Sequence, residues 1–318
     1  MKGCARSCLL WLIGWAAAAS AVFVYLRRFG FDREPLLWAA VGAGFCLTLA
    51  GSYVIGIFGF SKERTMLLNS MVGRPPDDGQ WVAVSGTIRS LNPLHAPMTG
   101  APVVAYTYEI YRMESSGKSS SRVVYYDGKG LAPSTITSKQ GAIRLLSVPT
   151  LDVPAEATDT QPAMDKAAEY VRTTTFETRQ MPKSERTSVE DEWTDDDGSF
   201  RVDKSSGREV DIADCFLVEH NIKQGEAVCA FGLYSSSRGG LIPHANWAKQ
   251  TRIMRGDATD VANQLRKRII KYAIGVVFFA AAAYGITLLY ERHMRTRVSM
   301  ESTMNRRAVS PSVQSVVS

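Results

Sequence analysis

The sequence predicts a mainly β domain, all-β or α+β, built as a small barrel or sandwich with a helical insertion and anchored by three transmembrane helices. Three observations predict it. Apolar residues are bunched into three uncharged runs, Cys8 to Leu26, Pro35 to Phe60 and Tyr272 to Tyr290. Between the second and third runs the hydrophobic period becomes two, the period of strands. The net charge of +6 on 318 residues also gathers beside the runs, with +3 over residues 1–34, +4 over 251–271 and +3 over 291–318. The remainder of the chain is therefore −4, and the basic residues read as headgroup and orientation signals, not as a nucleic-acid footprint.

A run of 19 helical residues rises roughly 28 Å, close to the thickness of a hydrocarbon core. Residues 1–60 accordingly read as a two-helix transmembrane hairpin. The first run continues through Val22 to Leu26, past the small residues Ala19-Ser20-Ala21 that could mark a cleavage site, so it is read as a retained helix. No Asp, Glu, Lys, Arg or His interrupts any of the three runs, which points to anchoring and not to a transport path. Glycine, alanine and serine within the runs, including Ala40 with Gly44 and Ser52 with Gly56, suit close helix packing in lipid.

Residues 61–250 read as the β domain. Strands are expected at Gln80–Arg89, Val103–Arg112, Arg122–Tyr126 (ended by the turn signal Asp127-Gly128), Ala142–Val148, Asp214–Val218 and Ala227–Leu233. An insertion at about 155–206 breaks the period and holds a short amphipathic helix with Met164, Ala167, Ala168 and Val171 on one face. Residues 251–290 read as an amphipathic lead-in, capped by Asp257, running into the third span. The basic tail, 291–318, reads as disordered.

The acidic run Glu190–Gly198 places Trp193 and Lys204 where a calcium loop needs oxygen ligands, and it reads as a solvated turn. Cys215, His220, Cys229 and His244 lack the short paired spacing of a structural zinc site. Neither a nucleophile elbow nor a phosphate-cradling glycine loop occurs. The chain thus reads as non-catalytic, with no cofactor, no metal and no small-molecule substrate. Cys215 and Cys229 read as buried strand residues.

Three stretches together resemble a BAM/GIDE ("beside a membrane") domain. Val84–Ile88 with Leu94–Glu109 is similar to the family's opening strand, its Ala-Pro-Leu-x-Gly turn and its Tyr-x-Tyr strand. Gly130–Pro133 with Gln140–Leu145 resembles the strand–glycine–strand middle, and Glu219–Gly232 resembles the closing Glu-x-x-(Leu/Ile)-x-x-Gly signature. The resemblance spans about 72–248. It implies a module placed between membrane helices, best known from a membrane-anchored mitochondrial E3 ubiquitin ligase and also found in bacteria and archaea. Two departures matter. Val103 stands where the family often has cysteine, and after Tyr290 only His293 remains of the eight Cys/His ligands a RING needs, so ligase activity is not expected of this chain.

The expected function is partner-protein docking or scaffolding at a membrane surface, on a candidate surface that includes His95, Pro97, Gly100, Tyr106 and Tyr108. The loop Leu91–Pro102 and the insertion carry it, because binding residues concentrate on loops held by a scaffold. An accessory subunit of a protease or ligase encoded elsewhere is the alternative. A further alternative is anionic-lipid recognition by Arg266, Lys267, Arg268 and Lys271, with Arg252 and Arg255 adding to the charge. The partners are therefore the lipid bilayer and a protein, with no nucleic acid. The dense run Arg266-Lys267-Arg268 lies on the domain side, so the positive-inside bias predicts a cytoplasmic-facing domain of a multi-pass protein, placed in a bacterial inner membrane.

Overall fold

The computed structural model describes residues 2–28, 33–73, 75–117, 119–178, 194, 197–244 and 250–308. It divides into two units, one of helices (Met1–Ser61 with Lys267–Ser318) and one that is mainly β (Lys62–Arg266).

The helical unit holds α1 (Lys2–Arg27), α2 (Arg33–Ser70) up to Ser61 and α4 (Ala258–Ala308) from Lys267. Among the described residues two stretches are long and apolar enough to cross a membrane, Leu36–Ser70 and Ala258–His293; the described apolar part of α1, Trp11–Arg27, is shorter. Helix α1 lies against α2 at Gly44, where a Cβ would come within 2.6 Å of the Ala19 backbone, and the Trp15 indole donates to the Val41 carbonyl at 3.4 Å. Asp257 caps α4 as expected, its Oδ1 accepting the Asp260 amide at 2.8 Å. The tail departs from expectation. Residues to Ala308 continue α4 because Glu291 to Ala308 contains no glycine or proline before Pro311 and is rich in straight-chain Arg, Glu and Met.

In the β unit, the strands are β1 (Trp81–Ser90), β2 (Leu94–His95), β3 (Pro102–Ser116), β4 (Ser119–Leu131), β5 (Ser134–Ser138), β6 (Gly141–Leu145) and β7 (Thr150–Asp152). Helix α3 (Gln161–Thr173) follows, then β8 (Glu177–Thr178), β9 (Phe200–Ser205), β10 (Phe216–Lys223), β11 (Ala227–Ser235), β12 (Gly240–Ile242) and β13 (Arg252–Arg255). The first sheet runs β1-β5-β6-β12-β11, and β11 pairs back with β1, closing a five-stranded barrel. Numbered in chain order, the five barrel strands run 1-2-3-5-4 and back to 1, with the β6–β12 pair parallel, the strand order of the Greek-key barrels known as OB-type. Strands β13 and β7 extend the sheet from β11.

Barrel closure depends on tight backbone approaches. Strand β1 pairs with β11 through Thr87 and with β5 from Gly86 onward, so it turns between neighbours at Gly86. A Cβ there would lie 2.1 Å from the Thr137 carbonyl oxygen, and one at Gly240 would lie 2.6 Å from that of Arg144. Inside sit Val84, Ile88, Ile136, Leu145, Val228, Leu241 and Ile253. Val104, Leu131 and Ile222, from the second sheet, complete the same core.

The second sheet runs β10-β3-β4-β9-β8, with β2 on β3. Strand β4 does not stop at Asp127-Gly128 but continues to Leu131. The reason is aromatic cover. Tyr108 faces Gly128 and Tyr106 faces Gly130 across β3–β4, and a Cβ on either glycine would meet the facing ring at 2.6 and 2.5 Å. Two strand glycines, weak alone, become seats for two rings. The expected lead-in at 251–257 is corrected too: Arg252–Arg255 is strand β13, with Ile253 and Met254 fully buried. The insertion supplies α3 as expected, on a face of Ala163 and Ala167 with Met164, Tyr170 and Val171, while Ala168 is exposed.

Replacing Gly86 by Val should lower the unfolding free energy of the β unit by at least about 1–3 kcal/mol, since the clash is with backbone and not with a movable side chain. The urea midpoint followed by near-ultraviolet circular dichroism measures it.

Candidate functional site

Strand β10 organises the second sheet through alternation. Leu217, Glu219 and Asn221 turn to the covered side and are buried, while Phe216, Val218 and His220 turn to the other. Glu219 has no exposed surface. Its Oε2 accepts the Met98 amide at 2.8 Å and the Thr99 amide at 3.4 Å, and its Oε1 accepts the Thr99 hydroxyl at 2.6 Å and the Asn221 side-chain amide at 3.1 Å. The turn Ala96–Gly100 is thus tied down from beneath, with Ala96 and Met98 in the core and Gly100 at a φ of 68°. Lys166 of α3 donates to the Thr99 carbonyl at 2.7 Å from above. The other foot of the loop is held by Gln224, whose side-chain amide both donates to and accepts from the Ser90 backbone, at 2.7 and 2.9 Å.

This placement divides the five residues expected to form a surface. His95 is exposed and Gly100 is half-buried, but Pro97 is buried and Tyr106 and Tyr108 are each only 2% exposed. The two tyrosines belong to the core under α3, because alternation along β3 turns them inward with Ile110. The exposed part of the loop is its tip, where Leu91 is 97% exposed.

Under α3 the tyrosines form a polar network. Tyr108 and Tyr170 donate to Asp203 Oδ1 at 2.6 and 2.8 Å, and Arg201 Nε donates to Asp203 Oδ2 at 2.9 Å. Arg201 also donates to the Tyr170 hydroxyl at 3.0 Å. Burial, and then hydrogen bonding to Asp203, pushes the Tyr108 phenol well above its ordinary value; burial likewise raises Tyr106 and Tyr170. The same desolvation pushes the Cys229 thiol up to about 11, and it raises Cys215, so both free thiols are protonated packing groups at neutral pH.

The opposite face of the second sheet is uncovered by any other element of the β unit among the described residues. Cross-strand register sets out three rows. Phe216 faces Tyr111; Val218, Glu109, Asp127 and Lys204 face one another in series; His220, Thr107, Lys129 and Val202 form the third row. Together with Arg122 the second and third rows line a trough of about 470 Å³. The first row is a shelf: the Tyr111 and Phe216 rings stack at 5.4 Å, Arg122 lies 3.8 Å over Tyr111, and Phe216 is 51% exposed. Glu109 and Asp127, like charges directly opposite, would repel each other, and Arg122 paired to Glu109 and Lys204 opposite Asp127 offset this. His220 is oriented by its Nδ1, 2.9 Å from the Val153 carbonyl. His220, weighed in the sequence as a zinc ligand, stands on this face, and so does Lys204, which fails there as a calcium ligand. The signal available in the sequence is the alternation of β10 and β3, whose outward phase carries these residues.

The remaining candidates separate. Cys229 lies on β11 of the first sheet, whereas Cys215 is not a strand residue but ends the 3-10 turn Ile212–Asp214 just before β10, and His244 packs edge-on to Trp81 with ring centres 6.0 Å apart. Among the described residues no three His, Cys, Asp or Glu side chains converge on one point. The acidic run Glu190–Gly198 falls almost wholly outside the described residues. Of the basic residues, Arg252 pairs with Glu63 at 2.6 Å, and Arg255 pairs with Glu156 at 2.9 Å and Glu226 at 3.3 Å, so both are committed within the β unit. Arg266, Lys267 and Lys271 are exposed, and Arg268 lies 6.0 Å over the Phe60 ring. The barrel face that binds ligands in OB-type domains, here β5 and β6, turns Thr135, Thr137, Ala142 and Arg144 outward and offers no ring for base stacking. Comparison with protein-family models, curated proteins and solved structures finds no match to this chain.

Two outcomes are expected. Glu219→Gln should speed hydrogen exchange at the Met98 and Thr99 amides while the β1 and β11 amides keep their protection, read by mass spectrometry. The buried phenols also fix a pH dependence. An unfolded chain releases tyrosine protons above about pH 10, whereas the folded chain holds those of Tyr106, Tyr108 and Tyr170 to higher pH. Their contribution is therefore complete below that pH and is lost as pH rises above it. Tyrosinate absorbance should accordingly show a late fraction that ionises only together with loss of the folded circular dichroism signal.

Proposed function

We propose that this chain is a non-catalytic, multi-pass membrane protein that presents its β unit beside the bilayer and docks a partner protein on the outer face of the second sheet. The observation that carries the reading is that face itself. A four-stranded surface with an aromatic shelf, two valines and interleaved charges is held rigid from behind by α3 and Glu219, yet nothing in the described β unit covers it. Aromatic and arginine anchors next to polar groups are the composition of a protein-binding centre. The fitting partner seats an apolar side chain on Tyr111 and Phe216 and sets its own charges against Glu109–Asp127 and Lys129–Lys204.

The BAM/GIDE resemblance supports the same placement. In this chain the family-like turn at Ala96–Gly100 and the family-like Glu219 signature are joined by hydrogen bonds, which gives the two motifs one structural purpose. The proposal places the protein in a bacterial inner membrane with the β unit on the cytoplasmic side. The partner would be a structural protein or a membrane protease or ligase for which this chain is an accessory. A second reading, anionic-lipid recognition, is favoured by one observation: Arg266, Lys267 and Lys271 are exposed while Arg252 and Arg255 are not available.

The test is co-purification of the full chain in native nanodiscs. A near-stoichiometric protein that is lost from the Phe216→Ala/Lys204→Glu variant but kept by Leu91→Ser supports docking on the sheet face, provided both variants retain their near-ultraviolet circular dichroism. Retention by both variants, or anionic lipid alone bound through the 266–271 cluster, overturns it.

A further inference from the structure

Two four-residue stretches of the helical unit have the same pattern, Tyr-x-Ile-Gly: Tyr53-Val54-Ile55-Gly56 on α2 and Tyr272-Ala273-Ile274-Gly275 on α4. These are the two helices long and apolar enough to cross a membrane. In the fold each tyrosine lies on the other helix's glycine. A Cβ on Gly56 would come 2.5 Å from Tyr272 Cε1, and one on Gly275 would come 2.6 Å from Tyr53 Cδ1. The two rings are 5.0 Å apart at 54°, and they are flanked by Phe279 beside Tyr53 at 5.6 Å and Phe60 edge-on to Tyr272 at 5.2 Å. Since 53 meets 275 while 56 meets 272, the helices run antiparallel and the contact has a local two-fold.

The register is kept over a long stretch. At one end Gly42 adjoins Ile286, where a Cβ would be 3.8 Å from Cδ1, and at the other Arg268 lies over Phe60. From residue 42 to residue 60 the helices run side by side for about 27 Å, close to a hydrocarbon thickness. In lipid, where burying apolar surface gives no drive, such ring-on-glycine packing is what distinguishes one helix partner from another.

We infer that Tyr-x-Ile-Gly is a helix-recognition element whose partner is an antiparallel helix with the same element, and that it joins α4 to α2 of the same chain. The inference rests on the reading that both helices lie in a bilayer. The geometry also rules out a competing pairing. Copies inserted the same way up present their α2 helices parallel, so the second tyrosine of an α2–α2 pair would face away from the second glycine. The element is therefore selective for α2 with α4.

The test uses the full chain in nanodiscs, spin-labelled through p-acetylphenylalanine at Phe58 and Val277, outside the two elements and well exposed at 71% and 69%. A single narrow distance is expected. Gly56→Leu and Gly275→Leu should each abolish it, and adding Tyr272→Ala to Gly56→Leu should restore it by opening the space the new side chain needs. Unchanged circular dichroism of the β unit shows that the chain is otherwise folded. A narrow distance surviving both leucine variants overturns the inference. So does a short distance between singly labelled copies, one at each site, because that requires α4 to cross to another chain. Failure of the membrane reading shows separately, as release of the native chain by alkaline carbonate.

Discussion

A carboxylate without solvent contact holds the β unit in order. Glu219 takes four hydrogen bonds on its two oxygens, two of them from backbone amides of a turn 120 residues earlier in sequence. A buried carboxylate is tolerated only when its lone pairs are filled, and a turn with inward-pointing amides needs an acceptor below it. Each requirement meets the other. The backbone of the same residue accepts the Glu156 amide at 2.8 Å, so the segment 153–158 is fastened along the free side of β10. His220 to Val153 and Thr158 to Leu217 add two more ties, and the exposed edge that an isolated β10 would present is largely occupied.

The two faces of the second sheet consequently have different characters. One is dry, with tyrosines standing on glycines, an Asp203–Arg201 pair and a helix laid over them. The other carries complementary charges that neutralise one another in rows and leave one aromatic shelf open. Rigidity comes from the dry face and accessibility from the other. The barrel contributes no comparable surface, because its outward residues on β5 and β6 are small or already bonded.

How much of this was legible in the sequence varied with the kind of signal. The strands of β1, β3, β10 and β11 follow from alternation, and the apolar runs from length and absence of charge. Strand β5, Ser-Thr-Ile-Thr-Ser, was not legible because its hydrophobic content is one residue; it exists because β1 and β6 offer it ladders on both sides. Asp127-Gly128 carried a turn signal that the Tyr108 ring overrode, a long-range contact no local window contains. Arg252 and Arg255 read as membrane-edge cations because their acids, Glu63, Glu156 and Glu226, are distant in sequence. The candidate site is less legible than the strands: the loop Leu91–Pro102 draws attention through its prolines and glycine, whereas the outer sheet face carries no compact motif, and Tyr106 and Tyr108 alternate with Thr107 and Glu109, which sets both tyrosines on the buried side and the other two on the open one.

The chain crosses between the two sheets with almost no slack. Strand β4 ends at Leu131 and β5 begins at Ser134; β10 ends at Lys223 and β11 begins at Ala227. Leu131 and Ile222, at the ends of the outgoing strands, are already part of the barrel core. A tug applied along the trough by anything gripping β10 or β4 therefore travels down strand backbones into the closed barrel and loads its ladders in shear, where many hydrogen bonds share the strain. Hairpins opened from their ends yield one bond at a time; this layout resists that mode.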